Sequence, residues 1–488
     1  MVETDAKRTA FDHRLGRPRL LVAGLSVVVL TVAVLQTAVV PVLGIIAHQL
    51  NASMVAVSWA VTANLLAAAA ATPLIGRLAD LHSKKRVLLT VLVIVLAGSV
   101  LAATTNSLAL LIVARVLQAA SYGLYPISIA ILRDELPEER MGSAMSVLSG
   151  TLGFGGGTGL VVVGLLMSGH AGYHRVFWLT TAFTVIVIAI AVLVVPARQR
   201  SSAGTIDWLG AAGLAAGLSA VLLAITQGHS WGWTSPATLA CAVCGLVVLC
   251  AWWFWERRAK QPLVSTEMMT RRAIMLTNLA TVFVGMGLYF AFLGLTQFVQ
   301  IPYAAAGYGF GATVLEASVV YLLPGAVTGF LVALVSGRFI DRFGARPVLI
   351  TAAVAGVAGF LFIALAHHAQ WQIIAASILA NAYIALGYGA LPALVVAEVD
   401  AGETGVATSM NAIARTVGSS LAAAMVAVLL GRTSNGVPME SSFVAIFVGG
   451  AVTAALAMVL IAFTRPRRRA IESVEARYES RAMNHEWG

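Results

Sequence analysis

Long apolar runs, separated by short polar segments, recur along the whole chain. Fourteen runs come close to the roughly 20 apolar residues that a membrane-spanning helix needs, the first over residues 20–46 and the last over 442–463. Their apolar residues are continuous, whereas the strands of a membrane β-barrel alternate apolar and polar residues over about ten positions. The pattern predicts an all-α polytopic membrane protein with 14 transmembrane helices, here called spans 1 to 14.

The composition excludes a soluble globular protein. Of the 488 residues, 59% are hydrophobic and only 11% are charged, whereas soluble domains hold about 25% charged residues. The net charge of +10 comes from Lys and Arg residues that fall mostly in alternate loops. With both termini in the cytosol, the outer loops carry only Arg175 and Arg432, as the positive-inside rule requires. The charge therefore reflects topology and not nucleic-acid binding, and it predicts a multi-pass protein of the plasma (inner) membrane.

Two short segments of the chain repeat at a constant offset. Residues 76–89 read GRLADLHSKKRVLL and residues 337–349 read GRFIDRFGARPVL. MSVLSGTLG at 145–153 likewise has its counterpart in MNAIARTVG at 410–418. Both copies of each segment lie at the cytosolic side, so the two halves of the chain have the same orientation. Parallel repeats of this kind are typical of secondary transporters.

The repeat also predicts how the chain is divided. Its two copies are eight spans apart, whereas halves of six spans would place them six apart, so spans 7 and 8 are interpreted as an inserted hairpin. The predicted parts are a basic cytosolic tail (1–19), an N-terminal six-helix bundle (20–200), the two-helix hairpin (201–262), a C-terminal six-helix bundle (263–465) and a cytosolic tail (466–488).

Four features of the sequence are specific enough to compare with known families. They are the loop motif at 76–86, the pattern Arg115-x-x-Gln118 in span 4, the glycine-dense part of span 5 at 150–159 and the outer loop at 228–236. Together they resemble the major facilitator superfamily, and within it the fourteen-span drug:proton antiporter branch. The resemblance covers nearly the whole chain. It implies the major facilitator fold and a secondary active transporter that exports amphipathic small molecules, such as drugs and antibiotics, by proton-coupled alternating access.

The chain departs from this branch at positions that matter for coupling and for substrate charge. Leu81 and Ser83 stand where the family usually has Arg and Gly, and Gly156 replaces the usual Pro of the antiporter motif. Gln36 stands at a depth of span 1 where the branch often has an acidic residue. The alternatives are an exporter of lipids or of endogenous metabolite anions, a carrier without proton coupling and, less favoured, a channel or a membrane-embedded enzyme.

Arg115 in span 4 and Arg415 in span 13 are the charged residues deep within the predicted spans. A charge there costs at least about 2.5–3.5 kcal/mol, so it is retained for a reason. Arg115 shares a helix face with Gln118, Tyr122 and Tyr125, which predicts a polar stripe along a water-filled cavity. The alternative is that each Arg caps backbone carbonyls between helices. The predicted substrate cavity comprises Gln36, Asn64, Arg115, Tyr122, Asn278, Tyr289, Gln297, Asn381, Tyr388 and Arg415.

The repeated loop motif predicts a contact between the two halves. Gly76 and Gly337 are interpreted as helix ends, after which Asp80 brings a negative charge close to the inner membrane face. Its carboxylate can pair with the positive N-terminal end of a helix in the other half, a latch that favours the outward-facing state. The alternative is that it pairs with a cation of its own loop. We expect Asp80 at the inner start of span 13 and Asp341 at the inner start of span 5. The predicted latch residues are Gly76, Asp80, Lys84, Arg86, Asp134, Gly337, Asp341 and Arg346.

A proton antiporter needs a group that titrates, and Arg does not titrate in proteins. No acidic residue is central in a span, so Glu316, near the outer end of span 10, is the proposed proton site, and an exposed loop acid is the alternative. The sequence contains no G-x-x-x-x-G-K-[ST] loop of a primary pump and no evident cluster of His, Cys or acids for a metal or for acid–base catalysis. We therefore expect no enzymatic activity, no cofactor and no metal.

The charges within the spans also predict the partners. With two arginines and no central acid, the cavity is expected to repel cations, so neutral or anionic amphiphiles should be better substrates. We expect Arg115 to hold the polar group, and the rings of Tyr122 and Tyr388 to hold the apolar body. The expected partners are a small-molecule substrate, protons and membrane lipids, and the protein is expected to act as a monomer.

Overall fold

The computed structural model describes residues 2–39, 42–167, 172–197, 205–434 and 437–464. Within them, 14 helices are long and apolar enough to cross a membrane, which confirms the predicted fold class. In chain order, spans 1 to 14 are Pro18–Thr37, Trp59–Leu81, Lys84–Thr104, Leu108–Glu135, Arg140–Val163, His174–Val194, Trp208–Trp231, Pro236–Glu256, Arg272–Gln300, Ala317–Ile340, Ala345–Leu365, Gln370–Ala397, Thr404–Leu430 and Glu440–Ala462.

Short elements connect some of the spans. Four are short α-helices, one is a 3₁₀ turn before span 13, and one is a small antiparallel hairpin between spans 13 and 14. Their bounds are Leu43–Gln49, Thr266–Thr270, Tyr303–Ala306, Val314–Glu316, Ala401–Glu403 and the strand pair Thr433–Ser434 with Val437–Pro438.

The first span is shorter than its apolar run predicts. The run covers 20–46, whereas the helix ends at Thr37 and a separate short helix follows at Leu43–Gln49. Pro41 lies between them in the sequence, and proline removes a backbone donor and disfavours helix at the residue before it. The last carbonyls of span 1 are therefore left without helical donors.

Gly76 and Gly337 do not end helices, so that interpretation is wrong. Both helices continue well past these residues. Each glycine instead lies against the other half of the protein. A Cβ at Gly76 would collide with Ser409, and a Cβ at Gly337 would collide with Ser143. The repeated glycines thus allow close helix approach, as small residues often do in membranes.

The two halves pack their helices in the same pattern. In the N-terminal half, span 1 packs against spans 5 and 6, and span 3 packs against span 6. The equivalent contacts in the C-terminal half are those of span 9 with spans 13 and 14, and of span 11 with span 14. Two repeat-related pairs, spans 5 and 10 and spans 2 and 13, join the halves. The packing follows the repeat, and the exact domain boundaries stay a prediction.

Spans 7 and 8 pack against each other beside the line where the halves meet. Span 7 also contacts spans 2 and 13. Span 8 turns large apolar residues outward, among them Leu246 and Val247. Its cysteines, Cys241, Cys244 and Cys250, form no disulfide with one another. An outward apolar face is what a lipid-facing helix requires.

Candidate transport pathway

One face of the protein carries the loops rich in Lys and Arg, here called the basic face. On it, Asp80 of span 2 is 4% exposed and accepts hydrogen bonds from the backbone N–H groups of Gly405 and Val406, both at 3.0 Å. These groups open span 13, where a helix has unpaired donors and the positive end of its dipole. The contact lies where the repeat predicts it, and its role as a latch stays a prediction. The side chain of the equivalent Asp341 lies outside the described part of the chain, so its contact is untested.

Two glycines bring spans 2 and 13 this close. A Cβ on Gly405 would lie 2.6 Å from the carbonyl oxygen of Gly76 and 2.7 Å from Oδ1 of Asp80. Gly76 and Asp80 are four residues apart, so they share one face of the helix. Gly76 therefore leaves room for span 13, and Asp80, on the same helix face, directs its carboxylate towards the start of that span.

Arg133, near the end of span 4, makes a second contact between the halves on the basic face. Its Nη2 donates to the carbonyl oxygen of Val399 at 2.7 Å. Its Nη1 donates to the carbonyl oxygen of Asp400 at 3.3 Å and to Oγ1 of Thr404 at 2.5 Å. Carbonyls that follow a helix lack helical donors and favour a cation. The sequence analysis missed this role because Arg133 reads as one more loop charge.

Other predicted latch residues act within one half. Lys84 and Asp134 form an ion pair at 2.5 Å, which joins spans 3 and 4. Arg346 donates to the carbonyl oxygen of Ala462 and so joins spans 11 and 14. Arg86 is exposed. Lys84, Asp134 and Arg346 therefore connect helices within one bundle each, on the basic face.

A third contact between the halves lies deeper, where span 12 faces spans 4 and 5. Pro392 lies inside span 12 and has no N–H, so the carbonyl of Tyr388, four residues earlier, lacks a helical donor. The hydroxyl oxygens of Ser149 and Tyr125 lie 2.7 and 3.3 Å from that carbonyl oxygen. They are also 2.7 Å from each other. The proline therefore creates an acceptor that two residues of the N-terminal half use.

Arg115 is enclosed within the N-terminal half and is 1% exposed. Its Nε donates to the carbonyl oxygen of Ala60 at 3.2 Å. Its Nη1 donates to the carbonyl oxygen of Leu35 at 3.2 Å and to Oε1 of Gln118 at 2.7 Å. Asn64 donates to the carbonyl oxygen of Arg115 itself at 2.7 Å. Arg115 thus links spans 1, 2 and 4 by capping carbonyls, the arrangement that the sequence left open as the alternative.

Arg415 lies where the halves meet and is only partly buried. Its guanidinium carbon is 4.7 Å from the ring centre of Tyr388 and 5.4 Å from that of Tyr125. Within the described ranges, no oxygen atom accepts a hydrogen bond from this guanidinium. Its backbone is fixed by close packing, because a Cβ on Gly285 of span 9 would collide with it.

Further predicted cavity residues gather around the two arginines. Tyr122 lies near the side chain of Gln36, and Tyr289 and both arginines are close enough to interact with it electrostatically. Tyr388 faces Tyr289 and the arginine of span 13. These residues form a polar and aromatic group that draws on both halves. It is called the central cluster and comprises Gln36, Arg115, Tyr122, Tyr289, Tyr388 and Arg415.

The remaining cavity predictions lie apart from the central cluster. Asn278 accepts a hydrogen bond from Asn411 at 3.0 Å, within the C-terminal half. Asn381 donates to the carbonyl oxygen of Ser377, one turn earlier in span 12, at 2.9 Å. Gln297 is exposed near the end of span 9 that lies opposite the basic face. Asn278 and Asn381 therefore support packing in this conformation.

Glu316, the predicted proton site, is exposed and forms a local cap. Its Oε2 accepts hydrogen bonds from the backbone N–H of Thr313 at 2.8 Å and from the Thr313 hydroxyl at 3.0 Å. These two bonds, the backbone bond first, stabilise the charged form and lower the pKa of Glu316 below its ordinary value. A carboxylate held ionised in this way is poorly suited to exchange protons near neutral pH, so the geometry favours the exposed-acid alternative.

A buried acid that the sequence analysis did not single out lies at the end of span 8. Glu256 is 2% exposed, and its Oε1 accepts a hydrogen bond from Nε1 of Trp252 at 3.0 Å. Asp207, on the same face, accepts hydrogen bonds from the Gly210 backbone and from Trp255, both at 2.8 Å. Glu256 adjoins two arginines in the sequence, so its burial could not be read from the pattern.

Three possible metal ligands also come together, which the sequence analysis did not expect. His367, His368 and Glu440 offer ligand atoms within 4.8 Å of one another. Nδ1 of His367 lies 2.9 Å from the carbonyl oxygen of Ile363, and Nε2 lies 2.8 Å from Oε1 of Glu440. Both partners are acceptors, so each ring nitrogen of His367 already has a partner within the protein.

Two repeated helix bundles that meet around polar side chains define a membrane transporter. The sequence model of the Major Facilitator Superfamily matches residues 25–208, 206–423 and 301–482, and the chain belongs to this family. The fold and the family are those of transporters and not of enzymes.

Individual relatives are more distant. An uncharacterized MFS-type transporter of Mycobacterium tuberculosis (strain ATCC 25618 / H37Rv) is 30% identical over 414 residues, 82% of this chain and 58% of that protein. This chain therefore spans less than two thirds of that relative. The tetracenomycin C resistance and export protein of Streptomyces glaucescens is 28% identical over 433 residues, 85% of this chain and 76% of that protein. The crystal structure of the human organic anion transporter MFSD10 matches with a TM-score of 0.63 and 15% identity over 91% of this chain and 99% of that chain, a likeness of fold alone.

Proposed function

We propose that the protein is a secondary active transporter of the plasma membrane that exports amphipathic small molecules, such as drugs or antibiotics, by proton-coupled alternating access. The relative from Streptomyces glaucescens, named for resistance to and export of tetracenomycin C, supports this substrate class. The observation that carries the proposal is a set of hydrogen bonds that join the two halves: Asp80 accepts them and Arg133 donates them on the basic face, and Ser149 donates to Tyr388 of the central cluster.

The positive-inside rule assigns the basic face to the cytosol. In that orientation the contacts between the halves separate the central cluster from the cytosol, so the conformation is closed on the inside. An exporter must break these contacts to load a cytosolic substrate. We infer that the bonds that Asp80 accepts from Gly405 and Val406 set how often the inward-facing state is reached.

The central cluster favours a second candidate, which is an exporter of lipid or metabolite anions, or a carrier without proton coupling. The cluster contains two arginines and no acid. Among the described residues, the almost fully buried acids are Asp80 and Glu256, and both lie towards the basic face. If protons are coupled, Asp80 is the proposed site of exchange, because protonation would weaken its bonds to the start of span 13.

Transport by purified protein in proteoliposomes, with an imposed pH gradient, tests the proposal. The compounds are a panel of neutral, anionic and cationic amphiphiles of similar size, and protein-free liposomes are the control. We expect saturable flux, counterflow of preloaded substrate, and loss of gradient-driven accumulation when an ionophore collapses the gradient. Flux without saturation or counterflow would indicate a channel. Counterflow at a rate that does not depend on the pH gradient would support the carrier without proton coupling.

The substitution Asp80→Asn tests the latch directly. Hydrogen bonds to a charged acceptor contribute about 1.5–3 kcal/mol, against about 0.5–1.5 kcal/mol for a neutral one. Losing about 1 kcal/mol should raise the inward-facing population about fivefold. Spin labels at His82 and Asp400, two exposed positions on the basic face, would report this as a longer distance distribution in a cysteine-free background.

Glu267→Gln is the matched control for this variant. Glu267 is an acid on the same face with a side chain that is 86% exposed. Its substitution removes the same charge from the surface without touching span 13. An unchanged distance distribution in Asp80→Asn, or an equal shift in the control, would contradict the latch.

A further inference from the structure

We propose that Arg415 is the residue that binds the substrate, and that it takes an anionic oxygen group, such as a carboxylate or a phenolate, on a planar aromatic body. The inference rests on the proposed function, since it names the substrate class of that transporter. It also assigns the binding of the substrate's polar group to Arg415, whereas the sequence predicts Arg115 for this role.

Among the residues that the structure describes, none accepts a hydrogen bond from the guanidinium of Arg415. Arginine offers five N–H donors and no acceptor. Across the described ranges, no backbone or side-chain oxygen takes one of these donors. Ionisable groups within membrane spans pair with one another or with carbonyls, or they mark a substrate pathway. Arg415 has no such pair within the described part of the chain and is partly exposed between the two halves, so we assign it to a substrate pathway.

Two tyrosine rings hold the guanidinium in place without neutralising it. The rings of Tyr388 and Tyr125 have centres 4.7 and 5.4 Å from its central carbon. The face of an aromatic ring attracts a cation, and a guanidinium can stack its flat face on such a ring. The N–H groups lie in the guanidinium plane, and their fork matches the two oxygens of a carboxylate. The tyrosines therefore orient Arg415 and leave its edge available to an anion.

The surroundings of Arg415 suit an aromatic body and disfavour a cation. Tyr122 and Tyr289 are partly buried and face the same region as Tyr388. Their rings offer apolar faces for stacking and their hydroxyls offer further hydrogen bonds. Arg115 adds a second positive charge nearby, and its three described hydrogen bonds hold its side chain against the N-terminal half. The cluster thus attracts anions and binds them at one arginine.

Binding of three naphthalene compounds of matched size tests the inference. They are 2-naphthoate (anion), 2-naphthylmethylammonium (cation) and 2-naphthalenemethanol (neutral), titrated calorimetrically into the full-length protein in nanodiscs without a pH gradient. We expect the wild type to bind the anion at least about tenfold more tightly than the cation. Arg415→Gln should weaken anion binding by about tenfold or more, with less than a twofold effect on the neutral compound.

Two further variants control for charge and folding. Arg415→Lys keeps the charge and loses the planar fork, so it should bind the anion with an affinity between those of the wild type and Arg415→Gln. Arg432→Gln removes a positive charge from an exposed loop position and should bind all three compounds as the wild type does. An excess of chloride distinguishes the aromatic anion from a simple ion and should displace naphthoate only weakly.

Several results would overturn the inference. They are equal wild-type affinities for anion and cation, an equal loss of anion and neutral binding in Arg415→Gln, and full displacement of naphthoate by chloride. The assay is independent of transport. Selective anion binding without gradient-driven transport would contradict the proposed function and leave this inference standing. Gradient-driven export of cations without anion binding would contradict this inference and leave the proposed function standing.

Discussion

The two intramembrane arginines look alike in the sequence and differ in the structure. Each lies within a span, close to tyrosines of the central cluster. Arg115 is 1% exposed and donates hydrogen bonds to two backbone carbonyls and to Gln118. Arg415 contacts the rings of Tyr125 and Tyr388, and no described oxygen accepts a hydrogen bond from it. The first lies within one half, and the second lies where the halves meet.

The difference comes from the backbone that surrounds each arginine. Leu35 lies in the last turn of span 1, where carbonyls lack helical donors, so its oxygen is available to Arg115. Close to Arg415, the carbonyl that Pro392 leaves without a helical donor belongs to Tyr388, and Ser149 already uses it. The same residue type therefore caps carbonyls in one place and, as we propose, binds substrate in the other.

Replacing each arginine by Met gives the largest expected difference. Arg115→Met leaves the acceptors at Leu35 and Gln118 without this donor, and each such loss costs about 1–3 kcal/mol, so the protein should lose about 2 kcal/mol or more of stability. Arg415→Met removes no hydrogen bond from the described residues and should change stability by less than about 1 kcal/mol. Heating followed by size-exclusion chromatography measures the fraction of each variant that stays monodisperse. An equal loss of stability in the two variants would contradict the view that only Arg115 is held by hydrogen bonds.

The spans, the repeat and the Asp80 contact could be predicted because they depend on local composition and spacing. A run of about 20 apolar residues is sufficient to form a span in a membrane. Gly76 and Asp80 repeat at Gly337 and Asp341, which pointed to a contact between the halves. The sequence nevertheless predicts helix ends at these glycines, because the pattern shows a small residue and not the neighbouring helix that requires it.

The roles of the two arginines could not be predicted, because they depend on carbonyls brought in by the tertiary fold. The apolar run continues past Pro41, so the sequence does not show that span 1 ends at Thr37. It therefore does not show that the carbonyl oxygen of Leu35 is free to accept a hydrogen bond from Arg115. Arg133 and Glu256 were missed for the same reason, since both read as charges at span ends. Their partners come from packing that no periodicity encodes.

A change at Gln118 tests whether Arg115 is held by its acceptors, with a smaller expected effect. Gln118 accepts from Arg115 at 2.7 Å and donates to Oγ of Ser99 at 3.0 Å. Gln118→Leu should lower stability by about 1–2 kcal/mol, because it removes one acceptor of a buried charge. Gln118→Glu keeps that acceptor, and the Ser99 hydroxyl can rotate to donate instead, so stability should stay within about 1 kcal/mol of the wild type. The same heating assay reports both variants. A loss as large in Gln118→Glu as in Gln118→Leu would show that packing volume, and not the hydrogen bond, matters here.

The ring of Tyr388 tests the other arginine and should give the smallest effect. A cation–π contact contributes about 0.5–2 kcal/mol, and part of this is regained when water reaches the guanidinium. Tyr388→Leu removes the ring and should therefore weaken naphthoate binding about threefold, since Arg415 is less well oriented. Tyr388→Phe keeps the ring and removes only a hydroxyl that makes no described hydrogen bond, so it should bind naphthoate as the wild type does.

Calorimetric titration of naphthoate into both Tyr388 variants decides between the ring and the hydroxyl. Neither substitution alters the backbone carbonyl of residue 388, so the contact with Ser149 and Tyr125 should persist in both. Tyr125→Phe is the complementary control, because it keeps the second ring beside Arg415 and removes the hydroxyl that lies 2.7 Å from Ser149. It should loosen the closure of the two halves and leave naphthoate affinity unchanged. If Tyr388→Phe instead weakened binding as much as Tyr388→Leu, the hydroxyl would be a substrate ligand, and the view that the rings only orient a free guanidinium would have to be given up.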